Sequence, residues 1–280
     1  MNAPDPRLTL ARAGLADARL EGIMAAARYE TTTPLRCIAP ATALRRDPAP
    51  GGEQRDQLLH GEVFDVLEEA GGWAWGQARR DGYVGFVDRA ALAQAGPAPT
   101  HRVAALRSYV YAAPDVTSPA SGPLSINSLV RISEHDGRFA RVADLSGWMA
   151  ARHLAPIGQV ETDFVAVAER FVGAAYLWGG REAQGVDCSG LVQQALMASG
   201  RSCPRDADLQ QGMGREVESG SLGRGDLVFW AGHVAIMIDD AHIVHANGYH
   251  AAVAIEPLVH AITRIDAAGV GQPIAYRRLG

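Results

Sequence analysis

Cysteine is scarce in this chain: there are three in 280 residues, Cys37, Cys188 and Cys203. Small secreted scaffolds stapled by disulfides are cysteine-dense, so a disulfide framework does not fit. Long apolar runs are missing as well. No stretch reaches the roughly 20 residues that a helix needs to span a bilayer. Within Met1–Tyr29, Asp5, Arg7, Arg12, Asp17, Arg19 and Glu21 break every apolar run before a secretory core forms. An excess of positive charge is missing too. The net charge is -5, which speaks against nucleic-acid and anionic-membrane partners. The expectation is a cytoplasmic protein with no nucleic-acid partner and no membrane insertion. Metal-binding spacings are also lacking. Cys188, His233 and His245 are zinc-ligand types, but no CxxC or HExxH spacing supports a zinc site, and no cofactor is expected.

What is present is the composition of a soluble globular protein, 48% hydrophobic and 20% charged. The length allows two or three domains. Residues 1–33 are rich in Ala, Leu and Arg and read as a partly helical lead-in, too short for its own core. Residues 34–96 change to short strands: Leu35–Ile38, Leu58–Leu67, Trp73–Ala78 and Tyr83–Val87, with Asp81-Gly82 as a hairpin turn. Pro97-Ala98-Pro99 is a linker. Residues 100–156 repeat the plan in weaker form, with Leu129–Ile132, Phe139–Val142 and Ser146–Ala150 in corresponding places. The repeat of about 65 residues suits tandem small β-domains and is too long for a solenoid.

Residues 160–280 alternate differently. Thr162 or Asp163 caps a helix carrying Phe164, Val167, Ala168, Phe171 and Val172. A second helix starts at Asp187-Cys188-Ser189-Gly190-Leu191-Val192 and stops at Ser199-Gly200. Strand-like segments follow: Asp226–Trp230, His233–Ile238, His242–Ala246, Val253–Ile255 and Ile274–Arg277. Helices followed by an antiparallel sheet make an α+β layout.

Asp187 is a good N-cap, which puts Cys188 in the first turn, where the positive end of the helix favours a thiolate. The competing reading of such a cysteine is a small buried hydrophobe. A nucleophilic cysteine needs a base, and the base needs an orienting partner. His233 and His245 flank the turn Asp239-Asp240, so their strands form a hairpin. A loop over 238–240 or 237–241 sets them directly opposite, about 5 Å apart on one face. A two-residue loop at 239–240 sends them to opposite faces. The expectation is therefore an odd-length loop.

Several motifs in one order carry a resemblance. They are Tyr176-Leu177-Trp178-Gly179-Gly180, Asp187-Cys188-Ser189-Gly190-Leu191-Val192, Pro204-Arg205, Gly225–Trp230, Gly232–Ile236 and His245-Ala246. Residues 160–280 resemble the NlpC/p60 family of cell-wall cysteine peptidases, a papain-like α+β fold. The units at 34–96 and 100–156 resemble bacterial SH3-like domains, on the endings Trp73–Leu92 and Phe139–Leu154. The whole resembles the γ-D-glutamyl-L-diamino acid endopeptidases of murein recycling. That resemblance implies a murein-derived peptide substrate with a free N-terminal L-Ala, cut between D-Glu and the diamino acid. It implies Cys188 as nucleophile, His233 as base and His245 as its orienter. The oxyanion would meet the Cys188 N–H and the Tyr176 hydroxyl. Asp187, Ser189 and Arg205 would contact substrate, with Arg205 on the D-Glu carboxylate. Tyr83, with Glu53 or Asp47, would read the free amine from the first SH3-like domain. One departure stands out: Ala207 occupies a position that is often serine in the family. The alternatives are another papain-like amidase or acyltransferase, or a non-catalytic module that binds cell-wall peptides.

Overall fold

Trp73–Ala78 and Val84–Asp88 pair antiparallel, forming the hairpin that Asp81-Gly82 predicts. Gly82 has φ +78°, a conformation that costs a residue without a Cβ little. Asp81 Oδ1 accepts from the Tyr83 N–H at 3.1 Å. In this computed structural model, which describes residues 4–280, the chain forms two units that meet at Ile157/Gly158.

In the first unit the hairpin belongs to a seven-stranded sheet. Its strands run in the order Leu92–Gln94, Thr33–Cys37, Val63–Ala70, Trp73–Ala78, Val84–Asp88, Ala41–Arg45 and Gln54–Leu59. Leu35, Leu44, Leu58, Phe64, Val66, Tyr83 and Val87 close on one core. Beyond the Pro-rich linker the plan repeats. Phe139–Val142 pairs with Gly147–Ala150 as Trp73–Ala78 pairs with Val84–Asp88. Val103, Val110, Leu124, Val130, Val142 and Met149 make a separate core there.

The lead-in corrects a sequence expectation. Among its described residues it is not helical beyond a single 3-10 turn at Ala18–Leu20; it forms the short strands Ala11–Arg12, Leu15–Asp17 and Arg28–Glu30. The reason is tertiary. Leu10 and Leu15 cover Trp75, and the Arg12 guanidinium lies 4.6 Å over its indole. A surface that buries an aromatic ring outweighs the helix propensity of an Ala/Leu/Arg-rich segment.

The chain has no lysine, so arginine is its one always-charged cationic side chain. Arg80 shows the consequence. Its guanidinium is shared by Asp56 at 2.8 Å, Glu62 at 2.5 Å and Asp81 at 2.6 Å, all at buried positions. The planar fork reaches three carboxylates at once, which a point charge does poorly.

In the second unit the helices are α1 (Phe164–Glu169), α2 (Cys188–Ala198), α3 (Ala207–Gln210) and α4 (Leu258–Ala267). The main strands are β1 (Asp226–Trp230), β2 (His233–Met237), β3 (His242–Asn247), β4 (Ala252–Pro257) and β5 (Ala275–Arg278). They lie in the order β4-β3-β2-β1-β5, with two-residue strands extending both edges. Asp163 caps α1, accepting from Val165 at 2.9 Å and Ala166 at 3.2 Å. The unexpected element is α4. Its Ala261 and Ile265 pack on Val228, Trp230, Ala235, Met237 and Ile243. Leu258, Ala261, Ile262 and Ile265 have the spacing of one helical face, so the signal was in the sequence. Among the described residues, no helix is long and apolar enough to cross a membrane.

Arg80→Met leaves three buried carboxylates without that counter-charge. It should destabilise the first unit by about 3–5 kcal/mol, read as a lower urea midpoint for its tryptophan fluorescence transition.

Candidate active site

The first turn of α2 is held by one carboxylate. Asp187 Oδ1 accepts from the Gly190 N–H at 2.7 Å, and its Oδ2 accepts from the Gly179 N–H at 2.8 Å. Gly190 has to be glycine, because a Cβ there would sit 2.3 Å from the Gly180 carbonyl oxygen. The two glycine-bearing motifs are thus pressed together around Asp187. From below, Arg205 forks onto the same carboxylate, at 3.0 Å to Oδ1 and 2.6 Å to Oδ2, and donates to Ser189 Oγ at 2.9 Å. Gln210 ties that segment to α2 by donating to the Ser189 carbonyl at 2.9 Å.

Cys188 is therefore the first residue of a tightly placed helix. Backbone N–H groups of Ser189 and Val234 face its sulfur. Val234 adjoins His233, so the thiol lies beside the start of β2. α2 packs across β2 and β3.

The hairpin loop has three residues, Asp239 to Ala241, closed by a hydrogen bond from the Ile238 N–H to the His242 carbonyl at 2.9 Å. Asp239 Oδ1 builds it by accepting from Ala241 at 2.8 Å and His242 at 2.7 Å. The loop is odd, as expected, but it starts one residue later than either expected loop centre allows. Val244 faces Ile236 and Ile243 faces Met237. His245 is then diagonal to His233 instead of directly opposite, and still on its face. Diagonal neighbours are within reach for ring side chains. His233 Nε2 and His245 Nδ1 meet at 2.9 Å. The Trp230 ring, 5.6 Å away, flanks His233.

The cysteine and both histidines lie within a single family match. Residues 173–268 match the NlpC/P60 family, and residues 44–92 match the bacterial dipeptidyl-peptidase SH3 domain. The chain carries an NlpC/P60 domain. It is similar to the gamma-D-glutamyl-L-lysine dipeptidyl-peptidase of Bacillus subtilis, 27% identical over 213 residues, covering 68% of this chain and 71% of that one. It is also similar to the protein of that name from Bacillus cereus, 33% identical over 104 residues, covering 34% of this chain and 31% of that one. Dipeptidyl-peptidase 6 of Lysinibacillus sphaericus is 36% identical over 84 residues, 30% of this chain and 31% of the relative. The chain thus aligns with about a third of the length of two of these relatives. A solved NlpC/P60 family protein from Bacillus cereus shares the fold, with a TM-score of 0.74 at 19% identity over 88% of this chain and 99% of its own.

In this NlpC/P60 domain two expected substrate contacts are otherwise engaged. Asp187 spends its oxygens on Gly179, Gly190, Ser189 and Arg205. Arg205 is 1% exposed and forks onto Asp187. Both act here as supports for the first turn of α2, and Ser189 lies between them. Ala207 is the buried first residue of α3. Tyr176 pairs in parallel with Val186, two residues before Cys188. In the first unit, Tyr83 is 2% exposed in the hydrophobic core, while Glu53 pairs at the surface with Arg46 and Arg55. Asp47 is in the same loop; its carbonyl accepts from the Ala49 N–H. Asp81, one of the carboxylates on Arg80, accepts from the Tyr83 N–H.

Sequence reasoning missed Glu256. His245 Nε2 meets Glu256 Oε1 at 2.8 Å, and Arg264 of α4 bonds the same oxygen. The signal was a single charge in the otherwise apolar run Ala252–Pro257.

The resting charges correct another expectation. Burial, and then the adjacent Asp187, push the Cys188 thiol up to about 12. The helix dipole supplies only about 0.3–1 kcal/mol towards the thiolate, and burial outweighs it. Burial, and then His245, hold His233 down to about 3. Burial also lowers His245 against the pull of Glu256. At neutral pH the resting pair is a neutral thiol and a neutral imidazole. Burial, followed by Cys188 and Asp187, raises the Tyr176 phenol, so it stays a proton donor.

A histidine with a depressed folded-state pKa stabilises above its unfolded value near 6.5 and loses that stability as pH falls toward the folded value. The second unit should therefore weaken between about pH 6.5 and 3, with His233 contributing about 1.4 kcal/mol per pH unit. His233→Gln should flatten that slope in urea titrations repeated across the range.

Proposed function

We propose that the chain is a cysteine endopeptidase that cuts murein stem peptides between γ-D-Glu and the diamino acid, with a free L-Ala at the N-terminus, in cell-wall peptide recycling. The observation that carries the peptidase reading is the 2.9 Å contact between His233 Nε2 and His245 Nδ1, beside a cysteine at a helix start. The substrate reading is supported by the names of the Bacillus relatives.

The chemistry runs as general-base catalysis from a neutral pair. His233 uses Nε2 on His245, which leaves Nδ1 to take the thiol proton as sulfur attacks the carbonyl carbon. The carbon becomes tetrahedral and its oxygen gains negative charge. The Cys188 N–H opens α2, ahead of the i→i−4 ladder, so it can donate to that oxygen. The Tyr176 hydroxyl is the second donor. His233 then returns the proton to the departing diamino-acid nitrogen, and the C–N bond breaks. Water, deprotonated by His233, hydrolyses the thioester. Ser189 is the member of the Asp187–Ser189–Arg205 group that meets the substrate backbone, and the arginine fixes its orientation.

L-Ala-γ-D-Glu-diamino acid peptides should be cleaved, with the dipeptide and the diamino acid identified by mass spectrometry. N-acetylation of the alanine should lower kcat/KM by about 10²-fold or more. Cys188→Ala should abolish turnover, and His233→Ala should lower it by about 10²–10⁴-fold. Turnover of a different amide, with this tripeptide untouched, would favour another papain-like amidase.

A further inference from the structure

We propose that Glu256 is a positioning residue for Cys188 chemistry, acting through His245 to set which nitrogen of His233 carries its proton. This rests on the peptidase reading in taking Cys188 as the nucleophile.

The placement follows from strand register. Ala254 of β4 faces His245 of β3, and Glu256 lies two residues further along on the same face. The step from Glu256 to His245 is therefore diagonal, like the step from His245 to His233. Glu256, His245 and His233 cross three adjacent strands in one line. Both links are short, 2.8 Å from His245 Nε2 to Glu256 Oε1 and 2.9 Å from His245 Nδ1 to His233 Nε2. His245 is fully buried, so water does not compete for either nitrogen.

Hydrogen-bond polarity does the rest. A carboxylate only accepts, so His245 donates from Nε2 and keeps Nδ1 as a lone pair. That lone pair accepts from His233 Nε2–H. His233 is left with a bare Nδ1, the form in which it can take a proton from a thiol. The reverse polarity would place the His233 proton on Nδ1 and block it as a base. Two neutral imidazoles in contact permit either polarity; the carboxylate chooses one.

Glu256 is itself held for this task. Burial favours its neutral acid, but hydrogen bonds from His245 and Arg264 outweigh burial and lower its pKa. The Arg264 guanidinium lies 4.4 Å over the Tyr249 ring. The other titratable groups facing the pair are His250, 6.4 Å from His245 between ring centres, and Arg264. Ligand atoms of His245, His250 and Glu256 lie within 4.8 Å of one another, close enough to suggest a metal. Both nitrogens of His245 are already engaged, so a metal would have to break the chain of hydrogen bonds.

The test uses the full chain and needs no substrate. Iodoacetamide alkylation of Cys188 is followed by peptide mass spectrometry from pH 5 to 9, and ¹⁵N NMR of the imidazoles reports the His233 tautomer. Glu256→Gln should slow alkylation by about 10–100-fold and populate the His233 Nδ1–H form. Glu256→Asp should recover part of the rate. A folded Gln variant with wild-type alkylation and the proton still on Nε2 would overturn the proposal. If the Gln variant does not fold, Arg264→Met, which loosens Glu256, should show a smaller loss in the same direction; wild-type behaviour there also overturns it. Failure of the peptidase reading looks different: Cys188 reactivity depends on Glu256, and no murein peptide is cut.

Discussion

A three-residue turn sets which side chains meet on the sheet of the second unit. Because Asp239 closes a loop of odd length, His233 and His245 fall on one face of the sheet. One residue more or less would send one ring to the opposite face and leave a buried imidazole without its partner. The same parity continues into β4 and brings Glu256 into line. Three side chains from three strands thus owe their contact to register, and each link is a diagonal that ring and carboxylate side chains can span.

The cysteine is placed by a different device. Asp187 is an N-cap, a clamp on the Gly179 N–H and the partner of a buried arginine at the same time. A buried carboxylate needs such a complete set of partners, because an uncompensated charge there costs several kcal/mol. The result is a rigid first turn with the thiol at its start. Rigidity and burial have an electrostatic consequence. The carboxylate that fixes the turn also opposes a thiolate beside it, and together with burial it favours the protonated thiol. This suits chemistry in which charge appears only as the bond forms.

The first unit uses the same means for a different end. Arg80 gathers three carboxylates at the seven-stranded sheet, and Arg12 covers Trp75 from the lead-in. In a chain without lysine, the planar fork serves throughout where several oxygens or a ring face must be met together.

Much of the architecture was legible from local patterns. The strands Asp226–Trp230 and His233–Met237 are short continuous apolar runs, Asp187 and Asp163 stand where N-caps are needed, and Asp81-Gly82 marks its hairpin. Those signals are local in the chain, and local sterics and hydrogen bonding produce them. Cys188, His233 and His245 stood out by residue type and by the order of their flanking motifs, and the contact of the two histidines followed from an odd-length loop. The lead-in, α4, the buried fork of Arg205 and the bond between His245 and Glu256 were not read. The lead-in took the form of the surface around Trp75. Arg205 and Glu256 are charges whose role depends on what lies beside them across 18 and 11 residues of chain. The sequence by itself determined which residues can do chemistry and which segments are strands or helices, since both depend on side-chain type and near neighbours. Only the tertiary structure decided the register, the burial that keeps the thiol neutral and the partner of each charge, because these depend on distances between segments far apart in the chain.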